Sequence, residues 1–321
     1  MNEYNLPAID ILNEETSSES VSDTDPKIST VVPMRSLLNS SKFQKSDMEL
    51  PMAIGRTISN EVLIADLCKM RHLLVAGATG TGKSVCLHTI ITSLLFKKQP
   101  TQLKFVLIDP KQCEFGVYKK LENHYLAKLP GDNEPIVTDA DKALKVLSSL
   151  CIEMENRFNR LMSAKVRNIK EHNKKCRDDG NREMPYIVVV IDEYSDLIVA
   201  KGKAIEENII RLAQRAHGVG IHLILSTQRV SCNIVTGWLK ADFPARITFR
   251  VATNAESRNI SDRDGAQLLK GDGDMLYSYA SRTDRVQGAF IAPSETERLC
   301  DYISQQPAQS GPYLLPEPIM E

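Results

Sequence analysis

The stretch His72-Leu-Leu-Val-Ala-Gly77-Ala-Thr-Gly-Thr-Gly-Lys-Ser84 decides how the rest of the chain is read. Residues 72–76 are short and mostly apolar, as a buried strand requires. Residues 84–96 carry Leu87, Ile90, Ile91, Leu94 and Leu95 at helical spacing. Between them, Gly77 to Ser84 matches G-x-x-x-x-G-K-[ST] without a gap. The glycines let backbone N–H groups curl around phosphates, Lys83 can reach the outer phosphate oxygens, and the Ser84 hydroxyl can ligate Mg²⁺. The helix that follows points its positive end at the same anion. The expected cradle is Gly77, Ala78, Thr79, Gly80, Thr81, Gly82, Lys83, Ser84 and Val85. A chance glycine-rich turn has no reason to sit between a strand and an amphipathic helix, which is the context this chemistry needs.

A second strand, 187–191, delivers two adjacent carboxylates, Asp192 and Glu193, at its end. Asp192 suits a Mg²⁺ site through a water, and Glu193 suits a general base that orients the attacking water. A strand ending in Asp-Glu is often only a surface turn; an intact phosphate loop about 110 residues earlier argues for the site. A third strand ends in Ser226-Thr227-Gln228, whose amide is placed to sense a γ-phosphate. Asp109-Pro110-Lys111 ends a fourth, and composition leaves it as either a support for the site or a simple turn.

The remaining pattern places a helix over 139–172, with Leu144, Leu147, Cys151, Met154, Phe158 and Leu161 in one stripe, a helix over 205–216, and strands over 105–108, 186–191, 221–226 and 245–251. Continuous apolar strands separated by helices predict an α/β, RecA-like P-loop NTPase fold with a mostly parallel central sheet covered by helices on both faces. Ligands in such folds sit beyond the carboxyl ends of the strands, where each candidate group falls.

The chain has 321 residues, with Lys+Arg 40 against Asp+Glu 41 and a formal net charge of -1. That balance excludes a protein coated in positive charge and leaves room for a local nucleic-acid channel. The 7 cysteines form no C-x-x-C pair and read as free thiols. The six histidines lack ligand spacing for a metal. No apolar run reaches transmembrane length and the N-terminus lacks a signal-peptide pattern, so the expected location is cytoplasmic. Residues 14–30 are acidic and Ser-rich, after an apolar patch at 6–12 with no assigned role. The expected organisation is a disordered segment over 1–30, a motor domain over 31–304 and an extended tail over 305–321, which holds four of the 15 prolines.

Two basic groups are candidates for phosphate contacts. Residues 157–182 include Arg157, Arg160, Lys165, Arg167, Lys170, Lys174, Lys175, Arg177 and Arg182, which fit a solvated helix face as well as a nucleic-acid face. Arg229, Lys240, Arg246, Arg250 and Arg258 follow the third strand end and lie closer to the nucleotide motif.

Taken together, AIGRTISNEVLIADLCKM, HLLVAGATGTGKSV, FVLIDPK, MSAKVRNIKEHN, PYIVVVIDE, GIHLILSTQR, IVTGWLKADFPARITF and GDGDMLY resemble the motor domain of the FtsK/SpoIIIE family, from about residue 50 to 303. The resemblance implies an ATPase that uses Mg²⁺ and ATP, self-associates into a ring, hexameric when intact, and pumps double-stranded DNA in chromosome segregation and related transfers. It carries the roles of Lys83, Ser84, Asp192, Glu193 and Gln228 over unchanged and implies DNA contacts at Arg229, Lys240 and Arg258. YNLPAIDIL and SLLNSSKF resemble segments that flank the family's α subdomain. That subdomain, the membrane region and the winged-helix domain are therefore expected to be missing, leaving the RecA-like β subdomain. Where the family carries an arginine expected to reach a neighbouring subunit's nucleotide, this chain has His217, with Arg215 two residues before it. Val230, Asn254 and Lys270 depart from the family's proline, lysine and glycine.

Two readings compete within this resemblance: a DNA-translocating ATPase, and a nucleotide-binding or regulatory protein of the same fold that has lost translocation. An unrelated P-loop enzyme such as a small-molecule kinase is a third. DNA-stimulated ATP turnover separates the first from the second, and phosphate transfer to a metabolite marks the third.

Overall fold

Along each central strand, neighbouring side chains alternate between two hydrophobic cores, as the period of two in a β-strand dictates. Leu73, Val75, Phe105, Leu107, Val188 and Val190 enter one core with Leu87, Ile90, Ile91 and Leu94 of the helix Lys83–Leu95. Leu74, Ala76, Val106, Ile108, Ile187, Val189 and Ile191 enter the other, with Leu147, Leu150 and Met154 of the helix Ala140–Ala164 and Ile205, Ile209 and Leu212 of the helix Lys203–Arg215. Strands apolar on both faces and helices on both sides therefore have the same cause. The computed structural model describes residues 4–13, 31–308 and 311–318.

In chain order the strands among the described residues are β1 (Val32–Pro33), β2 (Pro51–Thr57), β3 (Val62–Asp66), β4 (Leu73–Ala76), β5 (Leu103–Ile108), β6 (Ala127–Lys128), β7 (Tyr186–Ile191), β8 (Ile221–Thr227), β9 (Ala245–Phe249), β10 (Asp274–Tyr279), β11 (Arg282–Phe290) and β12 (Tyr313–Leu314). The main sheet runs β3-β2-β11-β10-β9-β4-β8-β7-β5, with β1 beside β11. From β9 to β5 the pairs are parallel. From β9 through β10, β11 and β2 to β3 they are antiparallel. The fold is α/β with helices on both faces, and its sheet is mixed, where a mostly parallel one was expected. The antiparallel half escaped the sequence because its hairpins lack the usual glycine signals. The β10–β11 turn places Ala280 (φ 50°) and Ser281 (φ 65°) in left-handed backbone, and the β2–β3 turn does the same with Asn60 (φ 62°).

The helix expected over 139–172 is two. It ends at Lys165, whose left-handed backbone (φ 57°) caps the helix Ala140–Ala164. A second helix, Ile169–Asp178, starts where the Asn168 side chain accepts from the Glu171 N–H at 2.9 Å. Asn168 is an N-cap residue inside a periodic run, and the cap interrupts the period.

Residues 4–13 and the described part of the tail pack where disorder or mere extension was expected. In residues 4–13, Tyr4 and Leu12 are buried, and the Asn13 N–H donates to Glu295 Oε1 at 2.8 Å. Their apolar side chains repay the cost of ordering this segment; residues 14–30, where disorder was also expected, lie outside the described residues. In the tail, β12 pairs with β6 and Leu315 is buried. Its anchor is Arg157, which is fully buried and so leaves the expected basic surface. Arg157 donates to Glu153 Oε1 at 2.8 Å, to the Pro185 carbonyl at 2.8 Å and to the Val219 carbonyl at 3.1 Å. The Tyr313 hydroxyl donates to the same Glu153 oxygen at 2.7 Å. No helix among the described residues is long and apolar enough to cross a membrane.

Because Arg157 compensates a carboxylate that is itself buried, Arg157→Met is expected to destabilise the chain by about 3–5 kcal/mol, read from urea unfolding midpoints. The companion change Tyr313→Phe leaves the ion pair intact and is expected to cost about 1 kcal/mol.

Candidate nucleotide site

Four strand ends meet at one edge of the sheet. The loop after β4 leaves Gly77 at φ 153°, where a Cβ would stand 2.6 Å from Phe249 Cβ at the end of β9. Gly82, at φ 119°, lies so close to the Gly273 backbone that a Cβ would be 3.0 Å from its Cα. A side chain at either position would push the loop off the sheet, so the motif's glycines serve close approach as well as turn geometry. The loop is tied down by the Ala78 N–H donating to the Arg250 carbonyl at 2.9 Å and the Gly77 N–H donating to the Thr227 carbonyl at 3.3 Å. Among the described residues, the N–H groups of Gly80, Gly82 and Lys83 find no backbone acceptor, which leaves them for an anion.

The loop borders a cavity of ≈ 500 Å³ lined by Thr79, Lys83, Ser84, Glu114 and Gln228 at one end and by Ile54, Ala289 and Phe290 at the other. A polar end beside an apolar one suits a nucleotide, phosphates toward the loop and base toward β2 and β11. Lys83 is buried, and its ammonium donates to the Ala78 carbonyl at 2.7 Å. Burial pulls its pKa down to about 8, against the pull of Glu193 and Asp192. A phosphate in the cavity would relieve that penalty. Open loop donors, a desolvated lysine and a serine hydroxyl facing carboxylates fit a Mg²⁺-nucleotide. Among the described residues, no group of three His, Cys, Asp or Glu side chains forms a metal site of its own, so the metal would need the nucleotide's oxygens as well.

The carboxylates at the end of β7 are held in opposite ways. Asp192 is buried, and its pKa rises to about 6, first through burial and then through Glu114, Asp109 and Glu193. Glu193 sits in left-handed backbone at φ 56°, a conformation that costs a residue with a side chain. Burial pushes its pKa up, but hydrogen bonds and the Lys111 charge outweigh that and hold it below the ordinary value. Ser195 donates to Glu193 at 2.5 Å, Thr227 at 3.0 Å, the Gln228 N–H at 3.1 Å and Lys111 Nζ at 3.2 Å. Gln228 also accepts from Thr79 of the phosphate loop through its side chain at 2.7 Å, joining β8 to the loop. Lys83, Ser84, Asp192, Glu193 and Gln228 are thus brought to one edge.

His217 is not at that edge. It lies in the turn before β8, at the opposite end of the sheet, with its ring 6.3 Å from that of His72. Its Nδ1 is buried without a partner among the described residues, and burial lowers its pKa. Arg215 is engaged elsewhere: it donates to Glu155 at 2.8 Å and stacks on Phe158 at 5.0 Å. Of the expected DNA contacts, Lys240 pairs with Asp262 at 2.8 Å and Arg258 with Asp264 at 2.7 Å. Arg229 is exposed, and its guanidinium has no ion pair among the described residues.

Sequence reading missed Ser195 and Thr227 as partners of Glu193, and Glu114 altogether. The Ser84 hydroxyl donates to Glu114 at 2.7 Å. Asp109-Pro110-Lys111 is resolved as a support: the Asp109 carboxylate accepts from the Glu114 and Phe115 N–H groups at 2.9 and 3.0 Å. The spacing D-P-K-x-x-E was the one available signal.

An acid whose folded pKa is raised costs stability once pH exceeds its unfolded value, and the cost is complete above the folded pKa. Asp192→Asn is therefore expected to stabilise the metal-free protein by about 1–2 kcal/mol at pH 7.5 and by less at pH 5. Urea unfolding in EDTA at the two pH values checks this.

A model of the FtsK/SpoIIIE family matches residues 33–232. The DNA translocase FtsK of Chlorobaculum tepidum is 49% identical over 290 residues, covering 89% of this chain and 36% of that protein. The DNA translocase SpoIIIE of Bacillus subtilis is 42% identical over 300 residues, covering 91% of this chain and 37% of that protein. The chain thus spans about a third of the length of these curated relatives. Among solved structures, the pCW3 conjugation coupling protein TcpA, a monomer form with ATPγS, aligns with a TM-score of 0.72 at 27% identity, over 86% of this chain and 75% of that one. The cytoplasmic domain of the Thermomonospora curvata type VII secretion ATPase EccC aligns with a TM-score of 0.73 at 25% identity, over 88% of this chain and 35% of that one. With its phosphate loop, its Asp-Glu strand end and more than half of its length matched by one family model, the chain belongs to the FtsK/SpoIIIE family.

Proposed function

We propose that this chain is an ATP-hydrolysing motor, its motor domain residues 31–304, that drives double-stranded DNA within a ring of copies. The observation that carries the reading is the hydrogen bond from Thr79 to Gln228, whose own N–H donates to Glu193. One residue at the end of β8 thereby touches both the phosphate loop and the candidate base. Any change in the loop on nucleotide binding or hydrolysis reaches Arg229, the next residue, which suits a DNA phosphate contact. The names of the relatives, DNA translocases, and the ATPγS that accompanies TcpA support the same reading.

Bound Mg²⁺ would supply charge neutralisation at the outer phosphates. Ser84 would offer its hydroxyl to the ion, with Asp192 behind a water. Lys83 would turn from the Ala78 carbonyl to the phosphate oxygens. Glu193, already ionised, would accept a proton from the attacking water after release from its clamp, and Gln228 would report the γ-phosphate to β8. Arg229, Lys240 and Arg258 are the DNA contacts of this reading; the last two must first exchange Asp262 and Asp264 for phosphates.

Steady-state ATPase activity with and without linear duplex DNA tests the function. Stimulation by DNA is expected, and its absence with turnover intact would overturn the DNA part. Lys83→Ala is expected to abolish tight ATP binding, and Glu193→Gln to retain binding while reducing turnover at least about 100-fold. Undiminished turnover in Glu193→Gln would assign the base to another group.

The histidine at 217 favours the second reading, a nucleotide-binding or regulatory protein of the same fold that has lost translocation. A half-buried imidazole whose pKa is lowered carries no permanent charge at neutral pH. If the ring forms with this residue at the subunit boundary, His217→Arg is expected to raise DNA-stimulated turnover by about tenfold or more. Unchanged turnover in confirmed oligomers would show that the position has no trans-acting role.

A further inference from the structure

Ser84 is one end of a chain of polar contacts that the hydrolytic reading leaves unused. Its hydroxyl donates to Glu114 Oε1 at 2.7 Å. The other oxygen, Glu114 Oε2, faces His88 Nε2 at 3.5 Å. His88 Nδ1 lies 2.8 Å from the Tyr118 hydroxyl. With a hydrogen on Nε2 shared toward the carboxylate, Nδ1 is the acceptor and the Tyr118 O–H the donor, so each atom in the chain has one role. Tyr118 is fully buried, and its ring packs 5.6 Å from that of His88. Ser84 and His88 stand four residues apart on the helix Lys83–Leu95 and so share a face. Glu114 itself is fixed by the Asp109 carboxylate, which accepts from the Glu114 and Phe115 N–H groups.

A serine hydroxyl that ligates a cation uses an oxygen lone pair, and its proton still needs an acceptor. A hydroxyl free to rotate presents that proton to the ion part of the time. Glu114 removes the freedom: with the O–H committed to Oε1, the Ser84 lone pairs are left for the cavity, which both residues line. Partners of this kind orient metal ligands and are commonly worth ten- to a hundredfold in metal affinity.

We propose that Glu114, held by His88 and Tyr118 on one side and by Asp109 on the other, is a positioning residue that orients the Ser84 hydroxyl for the nucleotide-bound Mg²⁺. The inference rests on the Mg²⁺-nucleotide reading above. It assigns Glu114 no contact with substrate; its effect passes through Ser84.

The test is a titration of Mg²⁺ against the full chain with ATPγS bound, followed by calorimetry or a fluorescent analogue, beside ATPγS affinity in EDTA. Glu114→Gln is expected to raise the Mg²⁺ concentration at half-saturation about tenfold or more while leaving Mg²⁺-free affinity within about twofold. In a Ser84→Ala background the same change is expected to add nothing, because its route is gone. His88→Leu, which leaves the carboxylate in place without its support, is expected to give a smaller loss of the same kind. An unchanged Mg²⁺ midpoint in Glu114→Gln would overturn the proposal. So would an equal fall with and without Mg²⁺, which marks a misfolded loop, and so would a further loss on top of Ser84→Ala, which would make Glu114 a ligand itself. Failure of the unaltered chain to bind ATPγS would instead overturn the nucleotide reading.

Discussion

The arrangement of this site depends on one buried carboxylate. Glu193 is almost fully enclosed, and four donors from different parts of the fold converge on it: Lys111 beyond β5, Ser195 on the helix Tyr194–Lys201, Thr227 at the end of β8 and the Gln228 N–H just after it. An ionised carboxylate in that position is tolerable only with such compensation. The clamp therefore fixes how the ends of β5, β7 and β8 lie relative to one another. Through Gln228 and Thr79 it also fixes the phosphate loop after β4. The left-handed backbone at Glu193 is the strain accepted for aiming that side chain back across the strand ends.

The same edge concentrates negative charge. Asp109, Glu114, Asp192 and Glu193 gather around Lys83 and Lys111. Asp192 carries most of the tension, since burial and three neighbouring carboxylates all disfavour its ionised form. Lys83 carries the complementary tension, desolvated and bonded to a carbonyl where a phosphate would serve better. A polyphosphate with its divalent cation, as proposed for this site, would relieve both strains. This is the usual trade between stability and function at sites that must receive charge.

At the other end of the sheet the polar groups serve packing. Arg157 reaches two carbonyls and Glu153, tying the helix Ala140–Ala164 to the approach to β7, the turn before β8 and the tail strand. His72 does both within the same layer: its Nε2–H donates to the Ala213 carbonyl at 2.9 Å and its Nδ1 accepts from the Leu223 N–H at 3.0 Å. His217 packs against His72 there, far from its own chain's phosphate loop. The division gives the fold a chemical edge and a structural edge.

Much of the chemical edge was legible in the sequence because its motifs are local. Gly77 to Ser84 and Ile187 to Glu193 are short, their geometry follows from glycine's freedom and from apolar strands, and strand ends in a parallel sheet face one way. The helices on both faces followed from periodicity. Tertiary structure decided what depends on contacts between distant segments. The antiparallel half formed through turns that glycine did not announce, at Ala280 and Ser281. A tail rich in proline became a strand because β6 offered it an edge and Glu153 an acceptor for Tyr313. Arg157 read as surface charge and proved to be fully buried, since a sequence counts charges and cannot see what surrounds them. For Glu114 the sequence offered only a spacing after Asp109-Pro110-Lys111; its proposed role arises because the end of β5 and the start of the helix Lys83–Leu95 meet, placing a carboxylate against a serine thirty residues away. Local backbone geometry is written in the residues themselves, whereas the partner of a buried charge is set by packing, and only the folded chain brings the two together.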